Sequence, residues 1–345
     1  MIPEKAEELS HHGGNINAAR HLFPDAPRPW IDLSTGINAT PYKVDVVTAS
    51  AWSKLPEPSE FAELEQAARC AYGVEHAAGI VAAPGTQALI QWLPRLFPAR
   101  RVAVLDVTYA EHETCWRAAG AEVTVVTTLA DLIGFDVGIV VNPNNPDGRI
   151  FPPHDLAMIA ETLARGGGRL IVDEAFVDGL ERQDSLVSRM PTSGAVVLRS
   201  FGKIYGLAGL RLGFAVSSPE ICTCLRTALG PWAVSGPAIE IGRKALADVG
   251  WLATTVGRLR DEADRLDRLL RSAGFAIVGG TPLFRLAQHQ HAAAWFVQLC
   301  RAGILTRPFR ARADWLRFGI PGGPSEWERL ETVLRSGKDM MSAET

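Results

Sequence analysis

From about residue 62 onwards, short apolar runs alternate with amphipathic stretches of about 10–15 residues. Buried strands are predicted for the apolar runs RVAVLDV, FDVGIVVN, RLIVDEAF and AVVLRSF. Helices are predicted for segments such as TQALIQWLPRLF and HDLAMIAETLARGG, in which apolar residues recur at helical spacing. Strands joined through helices form a mostly parallel sheet with helices on both faces. The sequence therefore predicts an α/β fold around such a sheet.

Changes in the pattern divide the chain into three predicted parts. Residues 1–44 are rich in Pro, Gly, Asn and His and predict an irregular N-terminal arm that contributes to the site. Residues 45–236 hold the alternating pattern and predict a large domain. Residues 237–345 begin with a long helical stretch from Ile239 to Ala273 and continue with short strands, which predicts a smaller α+β domain. A length of 345 residues is consistent with two domains at about 150 residues each.

Composition excludes several classes of protein. The formal charge is −3, from 35 basic and 38 acidic residues, which argues against a nucleic-acid-binding protein. We find no uncharged apolar run of membrane-spanning length and no secretory signal, so no membrane partner is expected. The five cysteines are odd in number and scattered, which predicts a reduced, cytoplasmic protein. Cys222 and Cys224 lack a second nearby pair, so no metal site is expected.

Glycines and polar residues follow the predicted strands at the points where the strands end. In open α/β sheets, ligands bind outside the carboxyl ends of the strands, so these residues are expected to share one edge. They are Gly85, Thr86, Gln87, Thr108, Tyr109, Asn142, Asn144, Asn145, Asp173, Glu174, Gly202 and Lys203.

Two of these positions suit the binding of an anion and an aldehyde. The segment Gly85-Thr86-Gln87 opens a helix, whose free N–H groups and positive dipole end attract anions. Lys203 lies among residues without charge, with Ser200 and Arg211 nearby to complete a phosphate site. Such surroundings lower the pKa of a lysine and make its amine a nucleophile. The alternatives are an ordinary helix cap and a solvated surface lysine.

Three motifs in order resemble the fold-type I pyridoxal 5′-phosphate (PLP) enzymes, which have the class I/II aminotransferase-like fold. They are NPNNPDG at 142–148, DEAF at 173–176 and SFGKIYGLAGLRLGF at 200–214. The resemblance implies PLP as the cofactor and a doubly covered, mostly parallel sheet with a smaller C-terminal domain. It covers nearly the whole chain, to the LRF segment at 316–318.

The same resemblance implies the roles of the catalytic residues. Lys203 would bind the cofactor covalently and move protons. Asp173 would pair with the pyridinium nitrogen and keep the ring an electron sink. Asn145 would hydrogen-bond the ring 3-hydroxyl oxygen, and Tyr109 would stack on the ring face.

Cofactor phosphate and substrate carboxylate also have implied partners. The residues implied to hold the cofactor phosphate are Gly85, Thr86, Ser200 and Arg211, and Gln87 is also predicted to bind the cofactor. Arg317 matches the residue that binds the substrate α-carboxylate, for which a bidentate guanidinium is suited. Fold-type I enzymes usually build each active site from two subunits, so a homodimer is expected.

Within this family, four segments are most similar to the L-threonine-O-3-phosphate decarboxylases of cobalamin biosynthesis. They are HGGN at 12–15, DLSTGIN at 32–38, PWAVSG at 231–236 and ILTRP at 304–308. This resemblance implies decarboxylation of a small phosphorylated amino acid to (R)-1-amino-2-propanol O-phosphate. The candidate substrate-binding residues are His12, Asn15, Gly36, Arg307 and Arg317. The alternatives are an aminotransferase acting on histidinol phosphate or a related amino acid, and a non-catalytic protein that retains the fold.

Three positions depart from the pattern of the relatives, and a fourth, Phe176, separates the chain from the aminotransferase alternative. Asp147 stands where a threonine is usual, and Phe176 where aminotransferases of the histidinol-phosphate type usually have tyrosine. Leu55 replaces a tyrosine that reaches the neighbouring subunit's cofactor phosphate. Gly202 replaces a serine or threonine, which removes one hydroxyl from the phosphate site. Weaker cofactor binding, or compensation elsewhere, is expected.

Overall fold

The computed structural model describes residue 9 and residues 13–342, without the side chains of 338–342. The helices are α1 (Ile16–Leu22), α2 (Ala49–Ser53), α3 (Pro58–Tyr72), α4 (Thr86–Leu96), α5 (Ala110–Ala118), α6 (Pro153–Arg165), α7 (Pro219–Leu229), α8 (Gly236–Ala247), α9 (Val249–Ser272), α10 (Ala292–Arg301) and α11 (Pro324–Ser342). The strands are β1 (Ile31–Asp32), β2 (Gly79–Ala83), β3 (Arg101–Leu105), β4 (Glu122–Val126), β5 (Val137–Val141), β6 (Arg169–Asp173), β7 (Ala195–Ser200), β8 (Gly213–Ser217), β9 (Ala276–Thr281), β10 (Phe284–Gln288), β11 (Ile304–Leu305), β12 (Arg307–Phe309) and β13 (Arg312–Gly319). Within the described residues, no helix is long and apolar enough to cross a membrane.

Contacts divide the chain into two compact units. The first, here called the sheet unit, comprises Pro41–Asn145 and Arg149–Ala253. The second, here called the arginine unit, comprises the described residues up to Thr40, Pro146–Gly148 and those from Thr254 onwards.

A mixed sheet forms the core of the sheet unit. Over the residues that the structure describes, its seven strands lie in the order β2-β8-β7-β6-β5-β3-β4. Strand β8 is antiparallel to both neighbours, β2 and β7, and every other pair is parallel. The predicted mostly parallel sheet is therefore confirmed. Six strands end at one edge of the sheet, and β8 begins there.

Local sequence explains how individual elements begin and end. Strand β5 is buried along its whole length, as a central parallel strand covered on both faces should be. Helix α3 begins with a capping box between Glu57 and Glu60. It ends at Gly73, whose φ of 68° lies in the left-handed region that glycine adopts without strain.

The chain passes between the two units at 40/41, 145/146, 148/149 and 253/254. Helix α8, which begins next to the predicted domain boundary at 236/237, belongs to the sheet unit. A Cβ on Gly236 would lie 2.3 Å from the carbonyl oxygen of Ala51, so α8 begins in direct contact with α2. The single helical stretch expected from Ile239 to Ala273 is two helices, separated at Asp248, whose carboxylate accepts a hydrogen bond from the Trp251 amide (3.0 Å).

The arginine unit is built on a four-stranded antiparallel sheet, with the order β12-β13-β10-β9 among the described strands. Strand β1 pairs in parallel with β11 through Ile31 and Ile304, so the early chain segment is part of this unit. An irregular arm was expected there because a two-residue strand leaves no periodic signal in the sequence. Phe275, Trp295 and Phe318 pack together in its core.

Candidate active site

A cavity of about 180 Å³ lies in the sheet unit at the edge where the parallel strands end. It brings together nine residues that the sequence predicts to bind the cofactor: Gly85, Thr86, Gln87, Tyr109, Asn145, Asp173, Ser200, Lys203 and Arg211. Gly202, Phe176 and Ala208 also contribute to the lining. Sequence positions more than 100 residues apart thus share one cavity because parallel strands end together.

The asparagines of NPNNPDG have different roles. Asn142 closes the turn through its side chain. Its Nδ2 donates to the Phe151 carbonyl (3.2 Å), and its Oδ1 accepts from the Phe151 backbone amide (2.8 Å). Asn144 accepts a hydrogen bond from the Thr108 hydroxyl (2.7 Å). Asn145 lines the cavity. The first two asparagines therefore hold the turn that presents the third.

A buried acid–imidazole pair lies at one end of the cavity. Asp173, at the end of β6, is 3% exposed, and its Oδ2 lies 2.9 Å from Nε2 of His112. The Asp173 Oδ1 accepts a hydrogen bond from the Ala175 amide (3.1 Å). Sequence reasoning missed His112, which is 1% exposed. The available signal was its spacing, because a residue three positions after Tyr109 lies on the same face of a helix.

The Tyr109 ring is held from two sides. Its hydroxyl donates to the Gln87 side-chain oxygen (3.3 Å), and the Gln87 amide donates to the Glu111 carboxylate (2.9 Å). The ring also meets the edge of the His112 imidazole, with centroids 6.1 Å apart and planes at 84°. Gln87 lines the cavity and holds the Tyr109 hydroxyl in place.

The sequence-predicted phosphate residues lie close together where α4 begins. Gly85 precedes this helix with a φ of 83°, and a Cβ on it would lie 2.7 Å from a terminal nitrogen of Arg211. Arg211 itself has a left-handed backbone (φ 54°, ψ 58°), which is unusual for a non-glycine residue and is typical of functional sites. A Cβ on Gly213 would lie 2.7 Å from the Thr86 amide nitrogen. The guanidinium and the N-terminus of α4 therefore converge on one small volume.

The loop that carries Lys203 is tightly packed. A Cβ on Gly202 would lie 2.8 Å from the Ala208 Cα, so a serine or threonine here would displace the loop. This close approach explains the glycine. The Lys203 Nζ lies 5.5 Å from the Phe176 ring centroid. Of the other departures, Leu55 is 63% exposed and lies outside the cavity lining.

The arginine unit holds the predicted substrate arginines. Arg317 on β13 is 5% exposed, and its Nη2 donates to the Ser34 carbonyl (2.7 Å). Arg307 on β12 is its direct partner across the sheet, so both side chains leave the same face. Burial and then the charge of Arg307 lower the pKa of Arg317, while Asp32 opposes the change. An anion between the two guanidinium groups would relieve their repulsion.

Ser34 links the glycine-rich N-terminal motif to Arg317, a role that sequence reasoning missed. A Cβ on Gly13 would lie 2.4 Å from the Ser34 carbonyl oxygen, so only glycine fits. The Gly14 amide donates to the Ser34 hydroxyl (2.7 Å), which donates in turn to Asp32 (2.5 Å).

The other three predicted substrate-binding residues, His12, Asn15 and Gly36, belong to the N-terminal part of the sequence. Asn15 caps α1, since its side-chain oxygen accepts from the Ala18 amide (3.3 Å). Gly36 is buried. His12 lies outside the described residues.

Comparison with known proteins decides the family. The family model for aminotransferase class I and II matches residues 29–330. The chain belongs to this family. The resemblance to class I/II aminotransferases inferred from the motifs is therefore confirmed.

Within the class I/II family, decarboxylases are among the most similar relatives. Threonine-phosphate decarboxylase from Pseudomonas aeruginosa is 40% identical over 334 residues, covering 96% of this chain and 99% of that protein. Threonine-phosphate decarboxylase from Sinorhizobium sp. is 43% identical over 327 residues, covering 94% and 97%. Histidinol-phosphate aminotransferase 1 from Mesorhizobium japonicum is 30% identical over 302 residues, covering 81% of each chain. The resemblance to threonine-phosphate decarboxylases is confirmed.

Solved structures of the class I/II family confirm the fold. L-threonine-O-3-phosphate decarboxylase from Porphyromonas gingivalis has a TM-score of 0.76 at 21% identity, covering 90% of this chain and 99% of that one. Histidinol-phosphate aminotransferase from Sinorhizobium meliloti, solved in complex with pyridoxal-5′-phosphate, has a TM-score of 0.78 at 20% identity, covering 94% and 95%.

Glu174 follows Asp173 but lies in a different environment. Its carboxylate accepts a hydrogen bond from the Leu186 amide (2.6 Å) and lies 3.6 Å from Arg199. Burial raises the pKa of the Glu174 carboxyl from its ordinary value of 4.5 to about 7, although Arg199 opposes the rise. Only the first acid of the DEAF motif lines the cavity.

This pKa shift predicts a pH-dependent stability. The unfolded chain releases the Glu174 proton near pH 4.5 and the folded chain near pH 7, so the native state binds more protons between these values. The contribution of Glu174 to the free energy of unfolding therefore falls as the pH rises through this window. Relative to Glu174→Gln, the melting temperature of the wild-type apo-protein should fall by roughly 3–5 °C between pH 5 and pH 8. Parallel melting curves for the two proteins across this range would contradict the prediction.

Proposed function

We propose that this class I/II family member is a PLP-dependent decarboxylase of L-threonine O-3-phosphate in cobalamin biosynthesis. The products would be (R)-1-amino-2-propanol O-phosphate and CO₂. The observation that carries the proposal is the 40% and 43% identity, over almost the full chain, to two threonine-phosphate decarboxylases. Histidinol-phosphate aminotransferases match less of the chain at lower identity, so the aminotransferase alternative is not favoured.

The cavity residues fit PLP. The cofactor phosphate would bind the α4 N-terminus with Gly85, Thr86, Ser200 and Arg211, where the absence of a Cβ on Gly85 leaves room beside the guanidinium. Asn145, Tyr109 and Gln87 line the same cavity and would contact the ring. Bound PLP supplies an electron sink for the substrate carbon that loses CO₂.

Lys203 and Asp173 would carry the chemistry. Lys203 would hold the cofactor covalently through Nζ, and the same amine would return a proton to the substrate carbon after CO₂ has left. Asp173 would lie opposite the ring nitrogen and pair with it. The His112 Nε2, 2.9 Å from the Asp173 Oδ2, holds this carboxyl group in one orientation.

Two anionic groups of the substrate need cationic partners. Arg317 would bind the carboxylate in a bidentate manner, and Arg307 would bind the phosphate together with His12 and the Gly13-Gly14 backbone. The Ser34 carbonyl accepts a hydrogen bond from one Arg317 nitrogen and thereby orients the guanidinium group. Asn15 and Gly36 would shape the same segment.

We further expect a cytoplasmic homodimer. Several large apolar side chains of the sheet unit are exposed, among them Trp52 (71%), Leu55 (63%) and Trp232 (53%). Such side chains favour association with a second subunit. Light scattering on the purified holoenzyme gives the subunit number.

Incubation with L-threonine O-3-phosphate tests the proposed reaction. CO₂ and aminopropanol phosphate should form without any 2-oxo acid. A requirement for 2-oxoglutarate, with no CO₂ released, would show an aminotransferase instead. A protein that binds no PLP would be a non-catalytic member of the family.

Replacing Arg317 tests the substrate-binding role. Arg317→Gln removes a charged, bidentate partner, so the KM for threonine phosphate should rise by roughly 30- to 100-fold. The control is Arg312→Gln. Arg312 is on the same strand, β13, but its side chain is largely exposed and pairs with Asp314. An unchanged KM in Arg317→Gln, measured by CO₂ release, would remove Arg317 from the substrate site.

A further inference from the structure

A buried ion cluster lies beside the strand ends that carry Asp173 and Ser200. Glu174 and Arg199 are 0% and 4% exposed. The Arg199 guanidinium lies 3.6 Å from Glu174, makes a closer pair with Asp178 and covers the Tyr72 ring at 4.0 Å. None of these four residues lines the cavity.

The cluster links the ends of β6 and β7 on the face of the sheet that points away from the cavity. Along a strand, successive side chains point to opposite faces. Asp173 and Ser200 line the cavity, so Glu174 and Arg199, their immediate neighbours in the chain, point away from it. The strands are also adjacent, since Asp173 of β6 pairs with Leu198 of β7 and the Glu174 amide donates to the Leu198 carbonyl (2.9 Å).

We propose that Glu174 and Arg199 are positioning residues that fix the separation of Asp173 and Ser200, and with it the fit of the cavity to PLP. This inference rests on the proposed function, in which Asp173 and Ser200 hold the two ends of the cofactor. Neither Glu174 nor Arg199 touches the cofactor. Glu174 is the chain neighbour of Asp173, and Arg199 is the chain neighbour of Ser200. Each therefore acts on the position of a cavity residue through one peptide bond.

The cost of burying these charges supports a positioning role. A buried ion pair rarely stabilises a fold more than apolar side chains of the same size would. Its advantage is directional, because bonds to charged groups have narrow geometry. Here the Glu174 carboxylate is also fixed by the Leu186 amide (2.6 Å) and the Ser185 hydroxyl. The carboxylate is thereby held in one orientation against β7.

Equilibrium binding of PLP to the apo-protein tests the proposal without any need for turnover. At pH 8, Glu174→Gln should weaken PLP binding about 10-fold. Arg199→Lys keeps the charge but loses the fork, and should weaken binding about 3- to 10-fold. Arg199→Lys provides the test if Glu174→Gln does not fold. The matched control is Asp267→Asn, which breaks the Asp267–Arg285 pair of the arginine unit (2.6 and 2.5 Å), in which Asp267 is buried. This control should lower the melting temperature and leave the PLP affinity unchanged.

A pH profile separates positioning from general stability. The charged and titratable groups around Glu174 are Arg199, Asp178 and, beyond them, Tyr72 and Tyr205. Burial raises the pKa of Glu174 to about 7, so this carboxyl group changes charge between pH 8 and pH 6. The ratio of the wild-type PLP affinity to that of Glu174→Gln should fall from about 10 at pH 8 towards 1 at pH 6.

Two results would overturn the proposal. One is a PLP affinity in Glu174→Gln and Arg199→Lys equal to that of Asp267→Asn. The other is an affinity ratio that does not change with pH. Failure of the proposed function is distinguishable, since it would show as absent CO₂ release in the wild type whatever the PLP affinities are.

Discussion

Replacing Lys203 with alanine should lower the turnover of threonine phosphate by at least about 10³-fold. The variant loses both the amine that holds the cofactor covalently and the group that returns a proton to the substrate. PLP should still enter through the phosphate site formed by Gly85 and Arg211, but borohydride should no longer fix it to the protein. CO₂ release and the mass of the borohydride-treated chain measure the two effects.

Lys244→Ala is the control for Lys203→Ala. Lys244 is on α8, pairs with Glu240 (3.3 Å) and lies outside the cavity lining. Its replacement should leave turnover and cofactor fixation as in the wild type. Turnover of Lys203→Ala within tenfold of the wild type would refute the assignment of the active site.

Asp173→Asn should lower turnover by roughly 10²- to 10³-fold while the protein keeps its cofactor. Asparagine preserves the shape but not the negative charge, so the ring nitrogen would lose its counter-ion and the cofactor would withdraw electrons less well. The phosphate site is untouched, which keeps PLP bound. CO₂ release and the absorbance of bound PLP report the two quantities.

An exposed acid–imidazole pair provides the control for Asp173→Asn. Asp155 lies 2.9 Å from His154 on the surface of α6, and Asp155→Asn should not change turnover. A variant at Asp173 with wild-type turnover would mean that the cofactor needs no buried anion here. It would also remove the reason for the buried position of His112.

The sequence predicts the cavity well because the cavity follows from strand order. Each of its predicted residues ends a strand or lies within four residues of one, and parallel strands bring their ends together. Gly85, Asp173 and Lys203 are therefore found without knowledge of any contact. The same logic selects Asn145, although only the hydrogen bonds of Asn142 and Asn144 explain why those two do not line the cavity.

Other parts of the site could not be predicted, for physical reasons. Ser34 binds Arg317 through a backbone carbonyl, which every residue type has, and the two are 283 positions apart. The partnership of His112 with Asp173 depends on how α5 is rotated against β6, which a lone histidine does not reveal. The break at Asp248 escapes a periodicity argument because the helices on both sides are amphipathic.

The antiparallel strand β8 bears on when the protein can acquire its cofactor. Among the described strands, β2 pairs only with β8, for example through Gly79 and Ser217. Strand β2 therefore cannot join the sheet until β8, which comes more than 100 residues later in the chain, has been synthesised. Gly85 and Arg211 lie at the adjoining ends of these strands and meet only when β8 has inserted. Pairing between such distant segments forms slowly. A nascent chain that has emerged as far as Lys203 would already carry the reactive amine and Asp173, but it could not yet grip a phosphate. Under the proposed function, tight binding of the cofactor phosphate would therefore require that β8 has joined the sheet.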